Sequence, residues 1–191
     1  MACAAIAVAV LFMSLLDRLL GRSDAKAVRR DNEKIWFLVR AAGEGDLHSV
    51  TSLLSHGADI NGRVADGNTA LCAAAGRGRK AVVRLLLEKG ADVNAANNAR
   101  WTPLQLAISR GGYDVADLLL AGGADTRAAL SDGWTALHIA CKQGEMGVLK
   151  RLLHYGGDMN AADGKGQTPL SLAEEFGHND IVIFLRERGA K

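Results

Sequence analysis

The sequence predicts an all-α protein, a solenoid of short stacked helix pairs joined by β-hairpin-like loops. Three observations predict it. A threonine recurs every 33 residues, at Thr69, Thr102, Thr135 and Thr168. An apolar run follows each one about sixteen residues later: Leu85-Leu86-Leu87, Leu118-Leu119-Leu120, Leu152-Leu153 and Phe184-Leu185. Then comes a turn, Gly90-Ala91-Asp92-Val93-Asn94, Gly123-Ala124-Asp125 or Gly156-Gly157-Asp158-Met159-Asn160, and Gly57-Ala58-Asp59-Ile60-Asn61 is the same turn one period earlier. A fixed period of this length is the mark of a repeat architecture. With 49% hydrophobic residues, only 5% aromatics and 2 prolines, the composition suits helices with glycine-rich turns better than a β-sandwich.

The elements of one repeat follow in chain order. Asp66-Gly67-Asn68-Thr69-Ala70-Leu71 and Asp132-Gly133-Trp134-Thr135-Ala136-Leu137 share a loop that leads into the first helix. The threonine opens that helix, where its hydroxyl can accept an orphan backbone N–H. Pro103 and Pro169 follow directly, at the first helical position, where a missing N–H costs nothing. Gly78, Gly111, Gly144 and Gly177 end it, where a left-handed residue is wanted. Val82, Val83, Leu86 and Leu87 then show the three-to-four spacing of a buried stripe on the second helix. Gly57, Gly90, Gly123 and Gly156 stop the second helix in the same way. One such pair cannot bury its own apolar face, so neighbours must stack.

The text around each threonine, with Trp101-Thr102-Pro103-Leu104 and Gln167-Thr168-Pro169-Leu170 in the same register, resembles the ankyrin repeat. That family opens its repeat with T-P-L-H-x-A and closes it with G-A-D-V-N. The resemblance covers about residues 31–191, in five units: 31–63 as an N-terminal cap, 64–96, 97–129, 130–162, and 163–191 as a C-terminal cap. Both ends of a stack need a polar face. Asp31, Glu33 and Lys34 are expected to be the wet first turn of the N-terminal cap. Glu174, Glu175, Arg186, Glu187, Arg188 and Lys191 suit the other end. Three departures stand out. Ala99-Arg100 replaces Asp-Gly, Gly157 replaces Ala, and Arg127-Ala128-Ala129-Leu130 is an apolar approach to the fourth hairpin. The third and fourth hairpins are therefore expected to be less ideal than the second.

Residues 1–30 need their own explanation. Ala2 to Leu16 is apolar except for Ser14, and Arg18, Arg22, Lys26, Arg29 and Arg30 come after it. A signal peptide fits the apolar length, but no charge precedes the core beyond the amino terminus. A membrane anchor over residues 2–20 fits the trailing cations, which would keep the repeats in the cytosol. A helix packed on the stack, or a tail, is the third reading. The expected location is cytoplasmic, with or without that anchor.

Charge and motifs exclude several classes. Net charge is +2, and the 161 residues after residue 30 carry −1, a poor match for nucleic acid. Cys3, Cys72 and Cys141 make neither a disulfide framework nor a zinc motif. Cys72 and Cys141 lie two repeats apart, too far to bond. No phosphate loop, H-E-x-x-H or G-x-S-x-G is present. No enzyme activity, metal or cofactor is expected. His138 falls where the family pattern puts histidine, which implies a hydrogen bond between repeats, and His178 occupies a turn position.

The resemblance implies a protein-binding module, an adaptor, scaffold or inhibitor, and a monomer is expected. Alternatives are a membrane-tethered adaptor and a regulatory subunit of an enzyme. It also implies docking in the concave groove of hairpin tips and first helices. The tip positions before each threonine are Asn68, Trp101, Trp134 and Gln167, and an apolar ring exposed there points to binding. The alternative is that each ring lies over the neighbouring hairpin. The first helices end in Arg77, Arg110, Lys142 and Gln143, and Arg100 sits beside Trp101. The candidate partner-binding set is thus Asn68, Arg77, Arg100, Trp101, Arg110, Trp134, Lys142 and Gln143. It suits an acidic or aromatic-bearing protein segment.

Overall fold

The computed structural model describes residues 22–191. The apolar segment Ala2–Leu16 and the readings attached to it lie outside the described residues. Five helix pairs follow one another: α1 (Arg22–Glu44) with α2 (Leu47–Ser55), α3 (Ala70–Gly76) with α4 (Lys80–Glu88), α5 (Pro103–Ser109) with α6 (Tyr113–Ala121), α7 (Ala136–Gln143) with α8 (Met146–His154), and α9 (Pro169–Glu175) with α10 (Asn179–Glu187). There is no strand among the described residues. The first helix of each pair packs on the first helix of the next, and the second helices from α2 to α8 do likewise. Two helical layers result, with one continuous core between them.

The core takes Val82, Val83 and Leu86 of the predicted stripe, with Leu87 half-buried, and adds leucines of the first helices. Leu71, Val83, Leu86, Leu104, Leu119, Leu137, Leu149, Leu152 and Leu185 are all at most 1% exposed. Each such leucine contributes about 1.5–3 kcal/mol by leaving water. Alanines let the first helices approach closely, with Ala70, Ala74 and Ala75 of α3 completely buried. Threonines cap as expected. Thr69 Oγ1 accepts the Cys72 N–H at 3.2 Å, and Thr102 and Thr168 accept those of Gln105 and Ser171 at 3.3 Å each. The glycines that end the first helices sit at positive φ, from 68° at Gly78 to 86° at Gly45.

Neighbouring repeats are also tied by polar rungs. Asn61, Asn94 and Asn160 each offer a side-chain oxygen to a backbone N–H one repeat on, at 2.8–2.9 Å. Arg127 holds the same register, cannot accept, and donates Nε to the Gly156 carbonyl at 3.0 Å instead. Gln105 spans from its own cap to the Ala128 carbonyl at 2.8 Å.

The hairpin loops differ from expectation in an informative way. All four close with the same backbone bond: Val64 to Asn68, Asn97 to Trp101, Leu130 to Trp134 and Asp163 to Gln167, at 2.8–3.1 Å. By this bond the third and fourth are closed as well as the second, but the third carries Arg100 at φ 64°, where the other loops have glycine. A further irregularity lies between the third and fourth. Asn98 N–H joins the second and third loops at Asp66 O (3.1 Å), and Gly164 N–H joins the fourth and fifth at Asp132 O (2.7 Å). No such bond links the third to the fourth among the described residues.

The N-terminal unit departs most. Helix α1 has 23 residues, about 34 Å at 1.5 Å per residue, against 7 for α3. Asp31, Glu33 and Lys34, expected in a first turn, lie inside this long helix. Its buried side carries Leu38, Ala41 and Ala42. Lys34 Nζ donates to the His56 carbonyl at 3.2 Å. Ile35 covers Gly62 so closely that a Cβ there would lie 2.5 Å from its Cγ1. No helix among the described residues is long and apolar enough to cross a membrane.

Candidate functional site

First helices and hairpin loops share one face of the stack, and the predicted residues fall on it in groups. Arg77 and Arg110 follow α3 and α5 directly and are exposed. With Asn68 they line a cleft of about 1030 Å³, walled on one side by Trp36, Arg40 and Glu44 of α1. Asn68 is engaged: its amide donates to Asp66 Oδ2 at 2.7 Å and accepts from Asn97 Nδ2 at 3.1 Å. Arg40 is paired with Glu44 at 2.8 Å. Arg77 and Arg110 meet no carboxylate among the described residues. The guanidinium of Arg77 lies across Gly43, where a Cβ would come within 2.6 Å of Nη1.

Farther along, Lys142 stands between two rings, its Nζ 5.2 Å from the Trp134 centroid and 5.4 Å from that of Phe176. The Trp134 ring stacks on His138 at 6.1 Å. Its indole N–H donates to Asp163 Oδ2 at 2.9 Å, in the next hairpin. Gln143 bridges back to the Ser109 carbonyl at 3.2 Å. Neither Trp101 nor Trp134 is fully exposed, as the tip position had suggested. Both are half-buried against the core. Trp134 thereby does what the alternative reading assigned it, coupling two hairpins, while its edge still borders the groove.

Arg100 occupies the hairpin tip with φ 64°, the one non-glycine at positive φ among the described residues. Gly67, Gly133 and Gly166 hold that register in the other loops, at 78°, 91° and 79°. A side chain there costs roughly 1–2 kcal/mol, because Cβ crowds the following carbonyl. The exposed guanidinium makes no hydrogen bond or ion pair among the described residues that would offset this.

One aromatic on this face, Trp36, escaped the sequence reading and is 49% exposed; Phe176, at the exposed end of the last first helix, is 45% exposed. Ile35-Trp36-Phe37-Leu38-Val39 is a continuous apolar run, and one helix face cannot bury all of it. That was the available signal. Phe176 sits 33 residues after Gln143, a register that otherwise holds arginine, glutamine or glutamate.

His138 and the cysteines are structural. Nδ1 of His138 accepts the Thr135 N–H at 3.1 Å, and Nε2 donates to the Gln167 carbonyl at 3.1 Å. Burial holds its pKa below the usual 6.5. His178 reaches the Lys142 carbonyl at 3.0 Å. Cys72 donates Sγ–H to Ala95 O at 3.1 Å, and burial pushes the Cys141 thiol up to about 12. No group of three or more possible metal ligands occurs among the described residues.

A family model described as ankyrin repeats (3 copies) matches residues 38–129 and 122–191. The chain belongs to the ankyrin-repeat family. Ankyrin repeats are in general protein–protein interaction modules and are typically non-enzymatic. No curated protein matches the chain. The family match begins at Leu38, so the first four turns of α1, with Trp36 and Phe37, precede it. In this ankyrin stack the N-terminal unit therefore carries the residues least dictated by the repeat.

Proposed function

We propose that the chain is a protein-binding adaptor, scaffold or inhibitor that takes an acidic or aromatic-bearing segment of another protein into the groove of its ankyrin stack. One observation carries this. Arg77, Arg100 and Arg110 are exposed on the face of first helices and hairpins with no carboxylate partner among the described residues. On the layer of second helices Lys80 is paired with Asp114 at 3.0 Å and Arg151 with Asp117, while Arg84 there has no carboxylate partner among the described residues. Unpaired cations steer an acidic partner, and the rings of Trp101, Trp134 and Trp36 supply apolar contact. Asn68, Lys142 and Gln143 complete the floor.

The test is affinity capture with the full chain beside Arg77→Glu with Arg110→Glu, and beside Trp101→Ala. Partners retained by wild type and lost by the charge reversal support the reading. An unchanged set of partners from a variant that melts like wild type would sink it.

A further inference from the structure

The groove repeats with the stack, so its chemistry can be read one rung at a time. The residue after the first helix is Glu44, Arg77, Arg110, Gln143 and Phe176 in successive repeats, and the one before is Gly43, Gly76, Ser109, Lys142 and Glu175. The three middle rungs thus each offer a cation, Arg77, Arg110 and Lys142. The two end rungs offer a carboxylate beside an exposed ring: Glu44 near Trp36, and Glu175 beside Phe176. Both carboxylates are occupied locally, Glu44 by Arg40 at 2.8 Å and Glu175 by the Gln167 amide at 3.0 Å.

We infer that the occupant is an extended acidic segment carrying three carboxylates spaced three residues apart, with an apolar side chain beyond each end. This rests on the groove being the binding face. The spacing follows from the scaffold. Packed helices lie about 8–10 Å apart. A chain in the extended polyproline II form has three residues per turn and rises about 3.1 Å per residue, so every third side chain lies on one edge and meets the next rung. Covering three rungs takes about seven extended residues. A helical occupant would need about fourteen, the length at which a helix in water is only marginal. The pattern ends after three carboxylates because neither end rung offers a free cation: at one Arg40 is held by Glu44, and at the other stands Glu175. There Trp36 and Phe176, each with a cation over one face (Arg40 at 5.5 Å and Lys142 at 5.4 Å), offer their remaining exposed ring surface to an apolar group instead.

The test is fluorescence anisotropy with the full chain and labelled synthetic peptides, the first two of one composition. The first has phenylalanine at both ends, glutamate at every third position between, and serine and proline elsewhere. The second clusters the same three glutamates together. A third, helix-forming peptide spaces them by seven. The first is expected to bind at least tenfold tighter than the second. That preference should vanish in Arg77→Gln with Arg110→Gln, whose melting by circular dichroism is compared with wild type. Equal binding of the first two peptides, or tighter binding of the third, overturns the register and conformation while leaving the groove reading intact, provided the double variant weakens both. Binding indifferent to the two arginines, or no binding by any of the three, overturns both.

Discussion

Acid should loosen the junction between the fourth and fifth repeats through one buried imidazole. His138 is 0% exposed, and both ring nitrogens are committed. Nδ1 accepts from Thr135 N–H at 3.1 Å and lies 2.9 Å from its hydroxyl, while Nε2 donates to Gln167 O. A proton on Nδ1 would set donor against donor. Burial, the largest influence, lowers the folded pKa below 6.5. The unfolded chain therefore takes up a proton near pH 6.5 while the folded chain does not. The contribution is complete above that pH and shrinks as pH falls towards the depressed folded value. One unit below 6.5 the loss reaches at most about 1.4 kcal/mol. For a chain of this size that is a fall of about 3–5 °C in Tm. Gln105, at the same register one repeat earlier, makes matching bonds, accepting Thr102 N–H at 3.0 Å and donating to Trp134 O at 3.4 Å as well as to Ala128 O at 2.8 Å. His138→Gln should thus fold as well at neutral pH and lose less stability on acidification. Melting of both proteins by circular dichroism at pH 7.5 and 5.5 gives the comparison. An identical acid loss in both would refute the reasoning.

Three further outcomes follow from the packing and backbone. Arg100→Gly should raise stability by about 0.5–1 kcal/mol, the relieved left-handed strain less the entropy of a glycine, while weakening acidic ligands; a lower Tm would show that the guanidinium holds the hairpin. Leu104→Ala, at a site 0% exposed in the middle of the stack, should cost about 3 kcal/mol in urea unfolding, and a loss under about 1 kcal/mol would place Leu104 outside the core. Cys72 and Cys141 should resist a disulfide reagent at pH 8 until the chain is unfolded, since burial raises both pKa values, to about 12 at Cys141; rapid native-state release of two thiol equivalents from a Cys3→Ser variant would contradict the buried placement.

The period, the threonine caps and the second-helix stripe were legible because they are local rules repeated four times. His138 follows from the same register, whereas Gln105, which holds that position one repeat earlier, was shown by the structure. The structure adds what repetition does not dictate. Trp101 and Trp134 looked exposed because they precede a helix, yet a hairpin stacked on its neighbour half-buries whatever faces it, and Asp163 gives Trp134 a bond 29 residues away. The run Ile35–Val39 is apolar on every side, so its sequence could not show which side chains α1 leaves in water. The loss of ideality expected in the third hairpin appears as the strained positive φ of Arg100, and a second irregularity lies between the third and fourth hairpins, where the bond from one loop to the next is not made. Arg127 could be seen as a departure, but its donation to Gly156 O depends on where the next turn lies.

The claim at the centre is that the face of first helices and hairpins is where a partner docks. Residue-by-residue amide shifts of the labelled full chain during titration with the evenly spaced glutamate peptide test it most directly. The account predicts shifts that centre on Arg77, Arg110 and Lys142 and spread to Asn68, Arg100 and Trp134. Shifts centred on α4, α6 and α8 instead would place the docking surface on the opposite layer and contradict it.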